Sequence, residues 1–181
     1  MPAHTSPHKA AAPDPGPEHR LRMCELLVRH SPRISACALE VERGGTSFTV
    51  DTLSAIHASH PDAELTFIVG ADTASMLPAW REPARLLELA DLAVAARAGT
   101  TRRDVLSTLA SVSGDRAGAR AGGDASSAGV TFLELPVIDI SSSAARRRAA
   151  LGEPIEDLVG ADVASYIAEQ RLYRERADGA S

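Results

Sequence analysis

The residues with the clearest chemical potential form a corner between a strand and a helix. Leu65–Val69 is a short apolar run, which is typical of a buried parallel strand. The run stops at Gly70, and Asp72 is spaced to cap a helix over Thr73–Leu77. Such a corner suits a nucleotide, because glycine lets a ligand approach the backbone and a carboxylate can bind a ribose hydroxyl. Any α/β protein has several corners of this kind, so a purely structural turn stays open on the pattern alone.

A second group of polar residues lies near position 141. Ser141, Ser142 and Ser143 occupy the start of a predicted helix, and Arg146 follows one turn later. Backbone N–H groups, hydroxyls and a guanidinium together suit a polyphosphate. The simpler alternative, which the pattern alone favours, is an ordinary N-cap followed by a solvated basic face over residues 146–148.

Three further stretches add candidates for ligand binding. Residues 46–53 place small hydroxyls, including that of Thr49, at a helix start, which suits an anionic group but is equally typical of caps. Trp80 follows the first corner, where its indole can either stack on a flat heteroaromatic ring or pack into the core. His8 and Lys9 are either phosphate ligands or part of a solvated terminal loop.

The elements that must position these residues alternate between strands and helices. Strands are predicted at Ile34–Val41, Leu65–Val69, Asp91–Ala95 and Val130–Leu135. Helices are predicted at Glu18–His30, from a Ser47 or Thr49 cap to His60, at Thr73–Leu77, Glu82–Leu89, Arg102–Val112, from a Ser141 cap to Leu151 before Gly152, and at Ala161–Leu172. The alternation predicts an α/β fold with an open, mainly parallel sheet.

Composition limits the classes of function. The 181 residues carry a net charge of -5 with no basic face, which argues against a nucleic-acid binder. No apolar run approaches the roughly 18 residues of a membrane span, so no membrane partner is expected. The sequence has no HExxH, CxxC or Walker A motif, and no metal held by protein ligands is expected. Cys24 and Cys37 fit no disulfide framework, which indicates a reducing, cytoplasmic location.

Taken together and in this order, the stretches resemble the bacterial nicotinate-nucleotide adenylyltransferase family. The similar stretches are Pro7–Lys9, Glu18–Leu21, Ser47–Leu53, His60–Leu65, Val69–Asp72, Leu77–Trp80, Ile140–Arg146 and the ending from Leu158 to Tyr173. Each is short, but the ordered set is specific. The resemblance covers about residues 1–173, with residues 98–129 excepted.

This resemblance implies a Rossmann-like nucleotidyltransferase fold with helices on both faces of the sheet. The implied reaction transfers AMP from ATP to nicotinate mononucleotide, giving deamido-NAD and pyrophosphate, with Mg²⁺ accompanying ATP and without a covalent intermediate. By position in the family pattern, the residues that would bind ATP are Gly70, Asp72, Ser141, Ser142, Arg146 and Lys9. The residues that would bind the nicotinate half are Phe48, Thr49, Trp80 and Arg81, with Phe48 standing where the family often has tyrosine.

The front of the chain departs from the family pattern. The family's G-x-F-x-P-x-H-x-G-H signature is absent from these residues, and His4 and His8 have the wrong spacing to replace it. The catalytic residues are therefore unassigned. The resemblance implies that the first strand, the first helix and most of the second strand of the fold are missing. A start codon assigned too late would explain this, a hypothesis that the upstream DNA tests.

Two alternatives to the leading function stay open. One is a non-catalytic nucleotide-binding remnant or regulatory subunit of the same fold. The other is a related enzyme such as phosphopantetheine adenylyltransferase, although residues 47–53 and 77–80 favour the nicotinate enzyme. We expect one domain over residues 1–173, a flexible insert at 98–129 and a disordered tail at 174–181. The expected partners are ATP and nicotinate mononucleotide, and a homo-oligomer is left open.

Overall fold

A computed structural model describes residues 1–7, 14–95, 100–113, 129–136 and 140–174 of the chain. The helices lie at α1 Pro17–Val28, α2 Leu39–Arg43, α3 Thr49–Ser59, α4 Ala71–Ala74, α5 Pro83–Leu89, α6 Arg102–Ser113, α7 Ser142–Leu151, α8 Glu156–Val159 and α9 Ala161–Glu169. The strands lie at β1 Thr66–Gly70, β2 Asp91–Ala95 and β3 Val130–Leu133, and a 3₁₀ turn lies at Leu77–Ala79. This alternation confirms the predicted α/β fold.

The chain divides into two compact units. The sheet unit comprises Phe48–Val137, and the helical unit comprises Met1–Ser47 together with Ile138–Ser181. Nothing in this division tests the expected single domain over residues 1–173, which stays a prediction. The expected loss of a first strand, a first helix and most of a second strand likewise stays a prediction.

The sheet unit is built on three parallel strands in the order β1-β2-β3. Thr66 pairs with Asp91 and Gly70 with Ala95, while Leu92 pairs with Val130. The central strand β2 is a continuous apolar run because both of its faces are covered, and Leu92 and Val94 are almost fully buried. At its start the chain passes Gly129 so closely that a Cβ there would lie 2.7 Å from Oδ1 of Asp91. The φ of Gly129 is 74°, in the left-handed region that favours glycine, so it is the backbone conformation that selects glycine here.

The core of the sheet unit joins the strands to the helices that connect them. Helix α3 contributes Val50 and Leu53, and the segment between β1 and β2 contributes Leu77 and Leu86, both fully buried. Burying a leucine side chain contributes about 1.5–3 kcal/mol to stability. Apolar side chains therefore fix the segment after β1 to the core, and its polar residues lie at the surface.

The helical unit has a smaller core under helices α1 and α9. Val163 and Ile167 lie on the buried face of α9, where they pack with Met23 and with the half-buried Tyr166. The phenol oxygen of Tyr166 lies 2.7 Å from Nδ1 of His19, so α1 and α9 are also joined by a hydrogen bond. The helix predicted at Ala161–Leu172 is confirmed at its start, and it ends at Glu169 rather than Leu172.

Two predicted elements, one strand and one helix, differ from the structure. Residues 34–38 have no regular structure and α2 begins at Leu39, so no strand forms at Ile34–Val41. The Leu-Glu-Val-Glu-Arg run of α2 consists mostly of good helix formers, and Gly44 ends it at a φ of 71°, where glycine is favoured. The helix predicted at Thr73–Leu77 is replaced by the short helix α4, which begins two residues earlier and ends at Ala74, and by the 3₁₀ turn, which begins at Leu77.

The remaining elements lie close to their predicted positions. The predicted strand Asp91–Ala95 is confirmed to the residue, and the helices predicted from Glu18, Glu82 and Arg102 each begin within one residue of those positions. Helix α8 was not predicted. Most of the expected insert and tail, including residues 114–128 and 175–181, lies outside the described residues.

Candidate functional site

The corner after β1 is the first group of candidate residues. Val69 is buried, Gly70 is the residue that precedes α4, and Asp72 is exposed in the first turn of that helix. The prediction that Asp72 caps the helix is wrong, since Gly70 occupies the N-cap position and no side chain caps it. Gly70 has a φ of -70° and a ψ of 150°, which any residue adopts, so its backbone angles do not require glycine.

A second group lies where helix α3 faces the turn after the 3₁₀ segment. The guanidinium carbon of Arg81 lies 4.9 Å from the centroid of the Phe48 ring. Nη1 of Arg81 donates to Oδ2 of Asp51 at 3.2 Å, and Nε of Arg81 lies 3.5 Å from Oε1 of Glu82. The fold thus brings together Phe48 and Arg81, two of the residues predicted to bind the nicotinate half.

Trp80 immediately precedes this arginine. The sequence left open whether its indole stacks on a ligand or packs into the core, and its position is compatible with both. Its ring is partly buried against the core of the sheet unit, and its centroid lies 6.1 Å from that of Phe67 with the planes tilted by 55°. This is a favourable geometry for an aromatic pair. The indole is only half-buried, so one part of its surface packs inside while another part stays accessible.

The start of helix α3 places Thr49 beside this group. Phe48 is the N-cap residue and Thr49 the first residue of the helix, and neither Ser47 nor Thr49 caps it with a side chain. The predicted cap is therefore wrong. The buried Ser47 hydroxyl instead accepts a hydrogen bond from the backbone N–H of His4 at 2.9 Å. Within the helical unit, this bond ties residues 4 and 47 together, and Thr5 and Thr46 form a bridge beside it.

The third group, in the helical unit, is the start of α7. Oγ of Ser141 accepts from the backbone N–H of Ala144 at 3.1 Å, and Gly152 ends the helix with a φ of 73°, so both predicted boundaries are confirmed. Ser142 and Ser143 are exposed, and Nη2 of Arg146 donates to Oγ of Ser143 at 3.3 Å. Hydroxyls and a guanidinium therefore share the first turns of one helix.

Arg146 also has an electrostatic neighbour at the end of the chain. Burial raises the pKa of the Tyr173 phenol above its usual value of 10.0, and the positive charge of Arg146 opposes that increase. Asp14 and Arg20 act on the same phenol with opposite signs. Arg20 is itself held by Asp14 at 3.0 Å and donates to the backbone oxygens of Ala3 and His4.

Some residues expected at the site lie outside the described part of the chain. Lys9 and His8 lie outside the described residues, as does Asp139 beside the Ser141 helix. Over the described ranges, no group of three or more His, Cys, Asp or Glu side chains could hold a metal ion. In that same part of the chain, every helix is too short or too polar to cross a membrane.

Sequence spacing missed one member of the second group. On sequence alone, Asp51 is an acidic residue near the start of a predicted helix, where its charge suits the helix dipole, and nothing in its spacing points to Arg81. Its ion pair with Arg81 spans 30 positions of the chain, a separation that no local pattern indicates. Phe67, the aromatic partner of Trp80, was likewise visible only as part of an apolar strand.

The fold is that of the cytidylyltransferase-like class, whose family profile matches residues 1–148 of this chain. A probable nicotinate-nucleotide adenylyltransferase of Symbiobacterium thermophilum is 36% identical over 173 residues, 96% of this chain and 78% of the relative. A protein of the same name from Thermomicrobium roseum is 36% identical over 174 residues, 96% of this chain and 76% of the relative. The chain therefore belongs to the nicotinate-nucleotide adenylyltransferase family of nucleotidyltransferase enzymes, which confirms the resemblance found in the sequence.

A solved structure supports the fold independently. Plasmodium falciparum nicotinic acid mononucleotide adenylyltransferase, complexed with NaAD, superposes with a TM-score of 0.64 at 18% identity. The match covers 94% of this chain and 78% of the Plasmodium chain. Because the sequence identity is low, this match supports only the fold. That fold is the nucleotidyltransferase architecture predicted from the sequence.

Proposed function

We propose that this chain transfers AMP from ATP to nicotinate mononucleotide, producing deamido-NAD and pyrophosphate for NAD synthesis in the cytoplasm. The single observation that carries the proposal is the family membership, which rests on 36% identity over 96% of the chain. The arrangement of Phe48, Trp80 and Arg81 supports it, because an accessible indole beside a cation suits a flat, anionic ring.

The nicotinate ring is proposed to stack on Trp80. Stacking of a heteroaromatic base on such a side chain is worth about 1–3 kcal/mol. The nicotinate carboxylate would accept hydrogen bonds from Thr49 and from the backbone around Trp80 and Arg81. The first N–H groups of an α-helix have no partner within the helix, and Thr49 is the first residue of α3, which supports this assignment.

ATP is proposed to bind through two sets of residues. Gly70 and Asp72 would hold the ribose, because Gly70 offers close approach to the backbone and Asp72 an exposed carboxylate. Ser141, Ser142 and Arg146 would hold the phosphates through hydroxyl and guanidinium donors, to which Lys9 would add a positive charge. Arginine suits phosphate because its planar fork can donate two hydrogen bonds at once.

The proposed reaction is an in-line displacement at the α-phosphorus of ATP. A phosphate oxygen of nicotinate mononucleotide forms the new bond to that phosphorus, while the bond to the oxygen of the β-phosphate breaks and pyrophosphate leaves. The attacking phosphate is already ionised, so no protein group needs to remove a proton. Positioning of both phosphates and neutralisation of the charge that develops on pyrophosphate therefore supply the catalysis.

Mg²⁺ is proposed to arrive with ATP. Mg²⁺ keeps several of its waters and is commonly bound by substrate phosphates with few protein carboxylates. When bound, Mg²⁺ would neutralise negative charge on the phosphates, while Arg146 holds them from the protein side.

The fluorescence of Trp80, the only tryptophan in the chain, tests the nicotinate assignment directly. We expect nicotinate mononucleotide to quench it saturably, since the ligand ring would stack on the indole itself. Ribose 5-phosphate, which has the sugar and phosphate without the ring, is the matched control and should leave the emission unchanged. Equal responses to both compounds, or no response to the nicotinate compound, would contradict the assignment.

A further inference from the structure

An ion pair joins helix α3 to the turn that carries Trp80. Asp51 lies two residues beyond Thr49 in the first turn of α3, and Arg81 directly follows Trp80. Their side chains meet at 3.2 Å, from Oδ2 of the aspartate to Nη1 of the arginine. The contact therefore links the two segments to which the nicotinate half of the substrate has been assigned.

Arg81 is held on several sides at once. Its Nη1 donates to Asp51, its Nε lies near Oε1 of Glu82, and its guanidinium carbon lies over the Phe48 ring. Because the guanidinium is planar and rigid, these contacts restrict its orientation as well as its position. The arginine thereby restrains the backbone of the residue before it, which is Trp80.

The turn itself needs such a restraint. Glu82 adopts a φ of 48°, in the left-handed region that is uncommon for residues other than glycine. A residue held there costs of the order of 1–3 kcal/mol and persists only where its surroundings fix it. The backbone after Trp80 therefore turns against a local conformational preference, and the ion pair of Arg81 with Asp51 is a polar contact between this turn and α3.

The pair contributes little to folding. The Arg81 and Asp51 side chains are 50% and 41% exposed, and pairs at such exposure are typically worth about 0–1 kcal/mol. The effect of the ion pair is therefore on the position of the groups it joins and not on the stability of the fold. A small displacement of a ring-stacking or ligand-positioning group can change binding much more than it changes stability.

We propose that Asp51 is a positioning residue which, through Arg81, holds the Trp80 turn in the orientation that binds the nicotinate ring. The inference rests on the proposed function and adds a residue that does not touch the substrate. It predicts a selective effect. Loss of the pair weakens binding of nicotinate mononucleotide, while binding of ATP and the stability of the fold stay nearly unchanged.

The test uses the full chain with the substitution Asp51→Asn, which is almost isosteric and removes only the charge. We expect the dissociation constant for nicotinate mononucleotide, measured by Trp80 fluorescence, to rise about tenfold. The constant for ATP, measured by calorimetry, should change less than about twofold, and the thermal midpoint should stay within a few degrees. A merely structural role would move the midpoint and both constants together.

A matched control is available in the same unit. Arg85 and Glu88 form an ion pair at 2.9 Å within helix α5, with side-chain exposures of 52% and 44%. Glu88→Gln removes the same kind of charge from an equally exposed pair and should leave both constants unchanged. Arg81→Met provides the second arm. If Asp51 acts through Arg81, adding Asp51→Asn to Arg81→Met should weaken nicotinate binding no further.

The outcomes separate the two claims. If the unaltered protein shows no saturable response to nicotinate mononucleotide, the proposed function fails at this site and the inference fails with it. If the unaltered protein binds and Asp51→Asn binds equally well, the proposed function stands and the positioning role is overturned. Additive losses in the double variant would also overturn it, because Asp51 would then act without Arg81.

Discussion

The hydroxyl oxygen of Ser141 accepts a hydrogen bond from the backbone N–H of Ala144, 3.1 Å away, and so caps helix α7. The cap uses only the acceptor capacity of the oxygen, and the hydroxyl hydrogen is still a donor. Capping and phosphate binding are therefore compatible at Ser141, although the sequence presented them as alternatives. The two roles make separate predictions, one about stability and one about ATP.

The capping role predicts a loss of stability. Ser141→Ala should lower the free energy of unfolding by about 1 kcal/mol, because one N–H group at the start of α7 loses its partner. Urea unfolding followed by circular dichroism measures this difference. Ser142→Ala is the matched control, since Ser142 is exposed and is the first residue within the helix, and it should change the free energy by less than about 0.5 kcal/mol.

The phosphate-binding role predicts a contrast between neighbouring arginines. Arg146→Ala should raise the KM for ATP about tenfold or more, because a charge-assisted hydrogen bond to phosphate is lost. Arg147→Ala removes the same charge from the next, exposed position and should raise it less than about twofold. Steady-state kinetics at fixed nicotinate mononucleotide measure both. If both substitutions raised the KM equally, the effect would come from the loss of positive charge alone, and Arg146 would have no specific contact with the phosphates.

The close-approach role of Gly70 can be separated from backbone strain. At a φ of -70° alanine is as comfortable as glycine, so Gly70→Ala should shift the thermal midpoint by only a few degrees. The added methyl group should nevertheless weaken ATP binding about tenfold if the ribose lies against this backbone. Isothermal titration calorimetry with ATP gives the affinity. Normal ATP binding by a folded Gly70→Ala variant would remove Gly70 from the site.

The raised pKa of Tyr173 predicts a loss of stability in alkali. Burial favours the neutral phenol, so the folded pKa exceeds the unfolded value of about 10. The stability that this shift contributes is complete below pH 10 and is lost as the pH rises through the folded pKa. Compared with Tyr173→Phe, the unaltered protein should lose more unfolding free energy above pH 10.

Spectrophotometric titration of the phenols gives an independent reading of the same shift. The chain has two tyrosines, so the difference between the titrations of the unaltered protein and Tyr173→Phe isolates one group. The difference curve should have its midpoint above 10. A midpoint at or below that value would mean that the phenol is not buried in solution.

Sequence reasoning succeeded where a local signal decides the structure. The strand Asp91–Ala95 is a continuous apolar run between polar ends, and α7 carries both its Ser141 cap and its Gly152 terminator within a few residues. It failed at Ile34–Val41, because a strand needs hydrogen bonds from a partner that sequence alone does not identify, while helix α2 at Leu39–Arg43 forms its hydrogen bonds within a short segment.

The sequence indicated several residues of the candidate site, but it did not indicate how they contact one another. Phe48 and Arg81 were both assigned to the nicotinate half through the family resemblance, and the fold does bring them together. Asp51 was not assigned, because its contact with Arg81 depends on how α3 packs beside the chain that follows β1. Contacts of this kind follow from tertiary packing, so spacing along the chain does not indicate them.

The most direct test of the account is formation of deamido-NAD by the purified chain. With ATP, Mg²⁺ and nicotinate mononucleotide, we expect pyrophosphate and deamido-NAD to appear in equal amounts, and neither to form when the mononucleotide is omitted or Mg²⁺ is chelated. Pyrophosphate is followed by a coupled assay and deamido-NAD by chromatography. A protein shown by circular dichroism to be folded that binds ATP and yields no deamido-NAD would contradict the proposed function.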